Sequence, residues 1–268
     1  MTAIGALYTP QGFAIAADGR RSWQYRPTAT SRQFESETVQ KIFEIVIGDV
    51  ALAYFIRGDT VSEDGSWDIA DQIRESAQRV NPGDFSSCPR FVNALCATVQ
   101  GGIEKARRLR ELDGFPNTEI CILGYFRETP SWIDATFHPH LNQLGLHYYL
   151  YPRDCEGRIF LSGSQILDQM IVSGDARIAA QLPLRSANRS LQDAVSFVRN
   201  YVETCCSPLI RQLEPDGCKT VGGHIHVATI EKPTRTSWLL KAFRQQPKAD
   251  GGFKWAIPPL GVISSTVP

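Results

Sequence analysis

The stretch TAIGALYTPQGFAIAADGR, residues 2–20, decides how the chain folds. Residues 3–8 are apolar, Thr9-Pro10-Gln11-Gly12 has turn chemistry, and residues 13–17 are apolar again. Proline at the second position fixes φ where a type I or II turn needs it. The stretch therefore predicts a β-hairpin with a four-residue loop. Pairing Tyr8 with Phe13 sets Thr2 opposite Gly19, between Asp18 and Arg20. The residue after the initiator methionine and an Asp-Gly-Arg segment thus meet by local geometry alone.

Further along, residues 21–40 are polar and irregular and read as a long loop. Two apolar runs, 41–47 and 50–56, flank Gly48-Asp49, which suits a two-residue type II′ turn and sets Lys41 opposite Ile56. Residues 50–56 are apolar without alternation, as in a strand covered on both faces. Helical spacing follows: Ile69, Ile73 and Ala77 in 67–80, then Val92, Leu95, Val99, Ile103 and Ala106 in 91–112. The basic run 105–110 near the end of the second helix reads as a solvated face, and Asp113-Gly114 as its stop. Strands are predicted over 119–126, 132–137, 146–151 and 158–161, then helices over 165–173 and 190–213, then a strand over 224–230. Strands and helices come in separate blocks, which argues for packed layers over alternating βαβ units. The expected class is α+β, arranged as a four-layer αββα sandwich. Residues 1–231 form the domain and 232–268, rich in Pro and Gly, a C-terminal extension.

Composition narrows the function. At 268 residues, 43% hydrophobic and 21% charged, the chain is long and apolar enough for a sizeable core. Lys+Arg and Asp+Glu balance at 28 each, so electrostatics give no argument for a nucleic-acid or anionic-membrane partner. No apolar run approaches a membrane span. Ala14-Ile15-Ala16 has the look of a signal-peptidase site, but no Lys or Arg precedes it and Pro10 interrupts the apolar stretch. The seven cysteines show no CxxC spacing and read as reduced, packed thiols of a cytoplasmic protein. His138-x-His140 and His224-x-His226 each put two imidazoles on one strand face. A metal could use that spacing, yet no carboxylate or Cys partner stands at ligand distance in sequence, so no metal and no cofactor is expected.

Thr2 carries the chemistry. Aminopeptidases remove Met1 before a small residue, leaving an α-amine beside a hydroxyl. A neutral amine, pKa about 8, can serve as general base for the hydroxyl of its own residue. A nearby Lys holds that amine's pKa down by like-charge repulsion, and an Asp keeps the Lys charged and fixed. Asp18 and Lys41 are the residues available for those tasks.

The segment Thr2 to Gly5, Gly12 to Arg20, Lys41-Ile-Phe-Glu-Ile45 and Gly58-Asp59 resembles the proteasome β-subunit family of N-terminal nucleophile hydrolases. It looks most like the bacterial ancestral-β type (Anbu), in which Thr likewise follows the initiator Met. The strong match covers the first sixty residues or so. Ser162-Gly163 at a strand-to-helix junction and Gly222-Gly223 before a strand are similar to later motifs of the family. The resemblance implies a threonine peptidase in a self-compartmentalising ring or spiral, acting on peptide or protein. Thr2 would be the nucleophile, tuned by Asp18 and Lys41, with Ser162 near the amine. Arg20 and Gly163 would brace the site. Backbone N–H groups near Phe55 would hold the oxyanion, and Arg21, Ala53 and Arg57 would line the substrate pocket.

Three features depart from the family pattern. Phe55 stands where the family has Gly, and Cys218-Lys-Thr-Val221 replaces its Asp-x-x-Ser, with Asp216 or Thr220 as substitutes. The chain is also longer at residues 21–40 and after 231. Two other functions fit the same fold: a catalytically silent ring scaffold, and an amidase acting on a small molecule. The chain has no Walker-type Gly-rich loop, so any unfolding ATPase would be a separate partner.

Overall fold

A computed structural model of the chain describes residues 2–23, 33–36, 39–58, 68–110, 118–139, 145–215, 221–232, 240–247 and 253–256. Contacts divide it into two units, Met1–Ile42 with Glu156–Ser264, and Phe43–Cys155. Two large antiparallel sheets and several helices make the chain α+β.

In the first unit, β1 (Ile4–Thr9) and β2 (Gly12–Asp18) form the N-terminal hairpin, with Tyr8 opposite Phe13 and Ile4 opposite Ala17. The register is the expected one. The loop is shorter than expected, because Thr9 and Gly12 pair and only Pro10 and Gln11 lie outside the ladder. β10 (Ile159–Ser162) adds to one side of the hairpin and β11 (Ile225–Glu231) to the other. β12 (Leu240–Pro247) and β13 (Phe253–Ala256) continue the sheet beyond β11. The segment 21–40 is not loop throughout: β3 (Arg21–Trp23) and β4 (Gln33–Ser36) pair as a small ribbon. Trp23 and Phe34 supply the β propensity that the polar neighbours disguise.

Three small residues set how closely the helices approach this sheet. Gly5, Ala14 and Ala16 lie under α5 (Leu191–Cys205), and a Cβ on Gly5 would stand 3.3 Å from the Val198 Cβ. Phe197, Val198, Tyr201 and Val202 fill that face together with Leu167 and Ile171 of α3 (Gln165–Ser173). Ser164 caps α3 by accepting from the Leu167 N–H, and Gly174 ends it in the left-handed conformation. The helix expected over 190–213 breaks at Cys206. A separate α6 (Pro208–Leu213) follows, because Pro208 cannot donate to the preceding turn and Ser207 starts a new helix as its cap. A four-residue α4 (Ala176–Ala179) lies between α3 and α5.

In the second unit, β5 (Ile42–Ile47), β6 (Val50–Gly58), β7 (Thr118–Phe126), β8 (Thr129–Pro139) and β9 (Leu146–Arg153) follow one another across the sheet. Gly48 has φ 59°, as the first central residue of a type II′ turn requires. α1 (Ile69–Arg79), capped by Asp68, and α2 (Cys88–Arg110) cover one face. The spacing read from sequence faces that core: Ile69, Ile73 and Ala77 meet Val92, Leu95, Val99 and Ile103, with Leu52, Tyr54 and Ile56 of β6. The side chain of Ala106, the stop at Asp113-Gly114 and the residues Asp59, His140, Asp216, Cys218 and Thr220 lie outside the described residues.

Phe91 is fully buried in this core, with the rings of Phe85 and Phe126 each 6.0 Å away. Phe91→Ala is expected to cost about 3–5 kcal/mol in urea unfolding. Val172→Ala, at a position 82% exposed, stays within about 0.5 kcal/mol.

Candidate active site

The hairpin delivers Asp18 at the end of β2, where its carboxylate is fully buried. A buried carboxylate needs donors for both oxygens, and four N–H groups converge on this one. Oδ1 accepts from Lys41 Nζ at 2.7 Å and from the Ala3 backbone N–H at 2.9 Å. Oδ2 accepts from the Gly222 N–H at 3.0 Å and the Arg20 N–H at 3.3 Å. The Asp18 N–H in turn donates to the Ala3 carbonyl at 3.0 Å, so these two residues are locked by a reciprocal pair of bonds. Thr2 is thereby held in place by its neighbour.

Lys41 connects this carboxylate to the hydroxyl. Its ammonium donates to Asp18 and stands 3.4 Å from Thr2 Oγ1. Burial is the largest influence on its proton affinity and pulls its pKa below the ordinary lysine value. The Asp18 charge and hydrogen bond oppose that, Cys206 opposes it less, and the Arg20 charge adds to the lowering. The outcome is a lysine that gives up its proton more readily than one in water. That is the property needed to exchange a proton with a hydroxyl.

Close backbone approach explains two of the glycines. Gly163 has φ 155°, and a Cβ there would stand 2.9 Å from the Ala3 Cα and 3.1 Å from Cys205 Sγ. Gly222 has φ 148°, and a Cβ there would meet the Arg20 guanidinium carbon at 2.7 Å. The Gly222 carbonyl accepts from the Gly19 and Arg20 N–H groups, at 3.1 and 2.9 Å, and Arg20 Nη1 donates to the Val221 carbonyl at 3.2 Å. The 221–222 segment is thus the far wall of the Asp18 site.

The structure brings Thr2, Asp18, Arg20 and Lys41 together in the first unit. Ser162 ends β10 opposite Ile4, two positions along from Thr2, and is buried. Arg21 lies in β3 opposite Ser36. Ala53, Phe55 and Arg57 belong to β6 in the second unit, opposite Leu123, Cys121 and Glu119. Ala53 and Phe55 are buried, and the half-exposed Arg57 is engaged in an ion pair with Glu119. The sequence analysis did not find the part that Gly222 plays as a donor to Asp18. Its signal was the Gly-Gly pair before a strand, which marks a close backbone approach. Among the described residues, no group of three or more His, Cys, Asp and Glu side chains gathers as a metal centre. No helix among them is long and apolar enough to cross a membrane.

Sheet order and helix order, with Asp18 buried at the end of β2, are those of a proteasome-like α+β fold. Within it, the chain has the fold of Anbu, the ancestral β-subunit. The Anbu (Gly-1) mutant from Hyphomicrobium sp. strain MC1 superposes with a TM-score of 0.57 at 15% identity, covering 90% of this chain and 87% of that one. The Anbu complex from Pseudomonas aeruginosa, solved as a helical assembly, gives 0.52 at 13% identity, covering 91% and 86%. No family model matches the chain, and no curated protein matches it.

The lowered pKa of Lys41 has a measurable consequence. Between that pKa and the ordinary lysine value, the unfolded chain binds more protons than the folded one, so the lysine makes stability rise with pH across that interval. Carbon-13 NMR of lysine side chains is expected to show one residue, absent in Lys41→Met, titrating below 10.5. Titration of Lys41 at or above that value would contradict the burial argument.

Proposed function

We propose that this chain is an Anbu-type threonine hydrolase whose nucleophile is Thr2, exposed by removal of Met1. The observation that carries the reading is the line from buried Asp18 through Lys41 to the Thr2 hydroxyl, at 2.7 and 3.4 Å. In a hydrolase of this kind, Thr2 Oγ attacks the carbonyl carbon of an amide while the hydroxyl proton passes to the Thr2 α-amine. The Lys41 charge keeps that amine from being protonated beforehand. Collapse of the tetrahedral adduct expels the leaving amine, which takes the proton back. A water, activated by the same amine, then cleaves the acyl ester and frees Thr2. Asp18 orients Lys41 and the Ala3 N–H by accepting from both. Arg20 braces the loop behind Asp18, and Ser162 and Gly163 support the strand that carries Thr2.

Peptide is the substrate class that the fold likeness favours, and a ring or spiral of identical chains is the expected assembly. The helical assembly of the Pseudomonas aeruginosa Anbu complex supports that expectation. Reduced cysteines and balanced charge suit a cytoplasmic setting.

Intact-mass spectrometry before and after a peptide epoxyketone tests the reading, because that warhead bonds to both the amine and the hydroxyl of an N-terminal Thr. The expected result is loss of Met1 and a single adduct on the wild type, with none on Thr2→Ala. Retained Met1 with no adduct would instead identify a silent scaffold.

A further inference from the structure

His224 and His226 take no part in the reaction above, yet both are buried. They flank Ile225, whose side chain belongs to the helix-covered core, so by alternation both imidazoles leave the other face of the sheet. Their Nε2 atoms stand 2.5 Å apart, with ring centroids at 4.0 Å and planes inclined by 73°. His226 Nε2 is also 2.7 Å from the Val39 carbonyl oxygen. An imidazole nitrogen has one in-plane position, occupied by a proton or by a lone pair. Two lone pairs at this separation repel and two N–H groups collide. His226 Nε2 thus has a second imidazole nitrogen and a carbonyl oxygen within reach, all three being lone-pair donors that one cation can bridge.

We propose that His224 Nε2, His226 Nε2 and the Val39 carbonyl oxygen bind one divalent cation of the zinc class. Neutral imidazole with a carbonyl suits zinc, nickel or copper, whereas magnesium and calcium call for oxygen donors throughout. With zinc–nitrogen bonds of about 2.0–2.1 Å in tetrahedral geometry, the two nitrogens would lie about 3.3 Å apart. Rotation of the rings by less than an ångström at Nε2 admits the ion, and water completes the coordination. Sequence spacing alone does not reveal this site, because the third ligand is a backbone atom 187 positions from His226.

The site has a structural consequence. The Val39 N–H donates to the Gly19 carbonyl at 2.9 Å, and Lys41 follows two residues later. An ion on the Val39 carbonyl pins the segment that delivers Lys41 to Asp18. This consequence rests on the role proposed for Lys41, whereas the binding site does not.

Chelator-stripped protein is titrated with zinc sulfate by calorimetry, with bound metal counted by mass spectrometry and Tm followed in parallel. The wild type is expected to bind one zinc per chain and to melt higher when loaded. His224→Asn and His226→Asn each weaken binding at least about tenfold, while the double variant His138→Asn, His147→Asn binds as the wild type does. Should the first two variants fail to fold, zinc-edge X-ray absorption on the loaded wild type reads the ligands directly, and two imidazoles are expected. Failure of the wild type to bind zinc, binding that survives both buried-histidine substitutions, or fewer than two imidazole ligands would overturn the site. None of these readouts involves Thr2, so the site and the proposed hydrolase stand or fall separately.

Discussion

The buried carboxylate of Asp18 is the constraint on which the rest of the site depends. An ionised group taken out of water costs several kcal/mol unless charge and hydrogen bonds replace the lost hydration. Here a lysine ammonium and three backbone N–H groups do so. Each of those donors comes from a different part of the chain: the start of β1, the turn after β2, the approach to β5 and the approach to β11. One charge therefore fixes four segments. Because Lys41 is recruited to neutralise Asp18, it is also placed beside the Thr2 hydroxyl.

Backbone proximity makes that convergence feasible. Gly163 and Gly222 sit where a Cβ would meet the Ala3 backbone or the Arg20 guanidinium. Ala14 and Ala16 of β2 and Gly5 of β1 let α5 press closely on the hairpin. The small residues of the opening twenty positions serve this close packing. Larger side chains there would push α5 away and loosen the strand that presents Thr2.

Much of this was legible in the sequence because the information was local. The Tyr8–Phe13 register follows from one turn, and it alone brings Asp18 to Ala3, next to Thr2. The helical stripes of α1 and α2 were legible for the same reason: burial follows a 3.6-residue period. What was hidden depends on distant backbone. The Gly222 N–H reaches Asp18 across 204 positions, and the Val39 carbonyl reaches His226 across 187. Backbone donors and acceptors carry no residue-type signature, so no motif announces them. The break between α5 and α6 was visible as Ser207-Pro208, but the apolar period running through it masked the cap. The ribbon of β3 and β4 is short and polar, so neither strand shows an alternating face.

The rate at which a peptide epoxyketone modifies Thr2 in Asp18→Asn, compared with the wild type, tests the central claim most directly. Asparagine keeps the size of the side chain but removes the charge that holds Lys41. With folding verified by circular dichroism, the second-order rate is predicted to fall at least about a hundredfold. A folded Asp18→Asn protein that reacts at the wild-type rate would contradict the claim that this carboxylate organises the nucleophile.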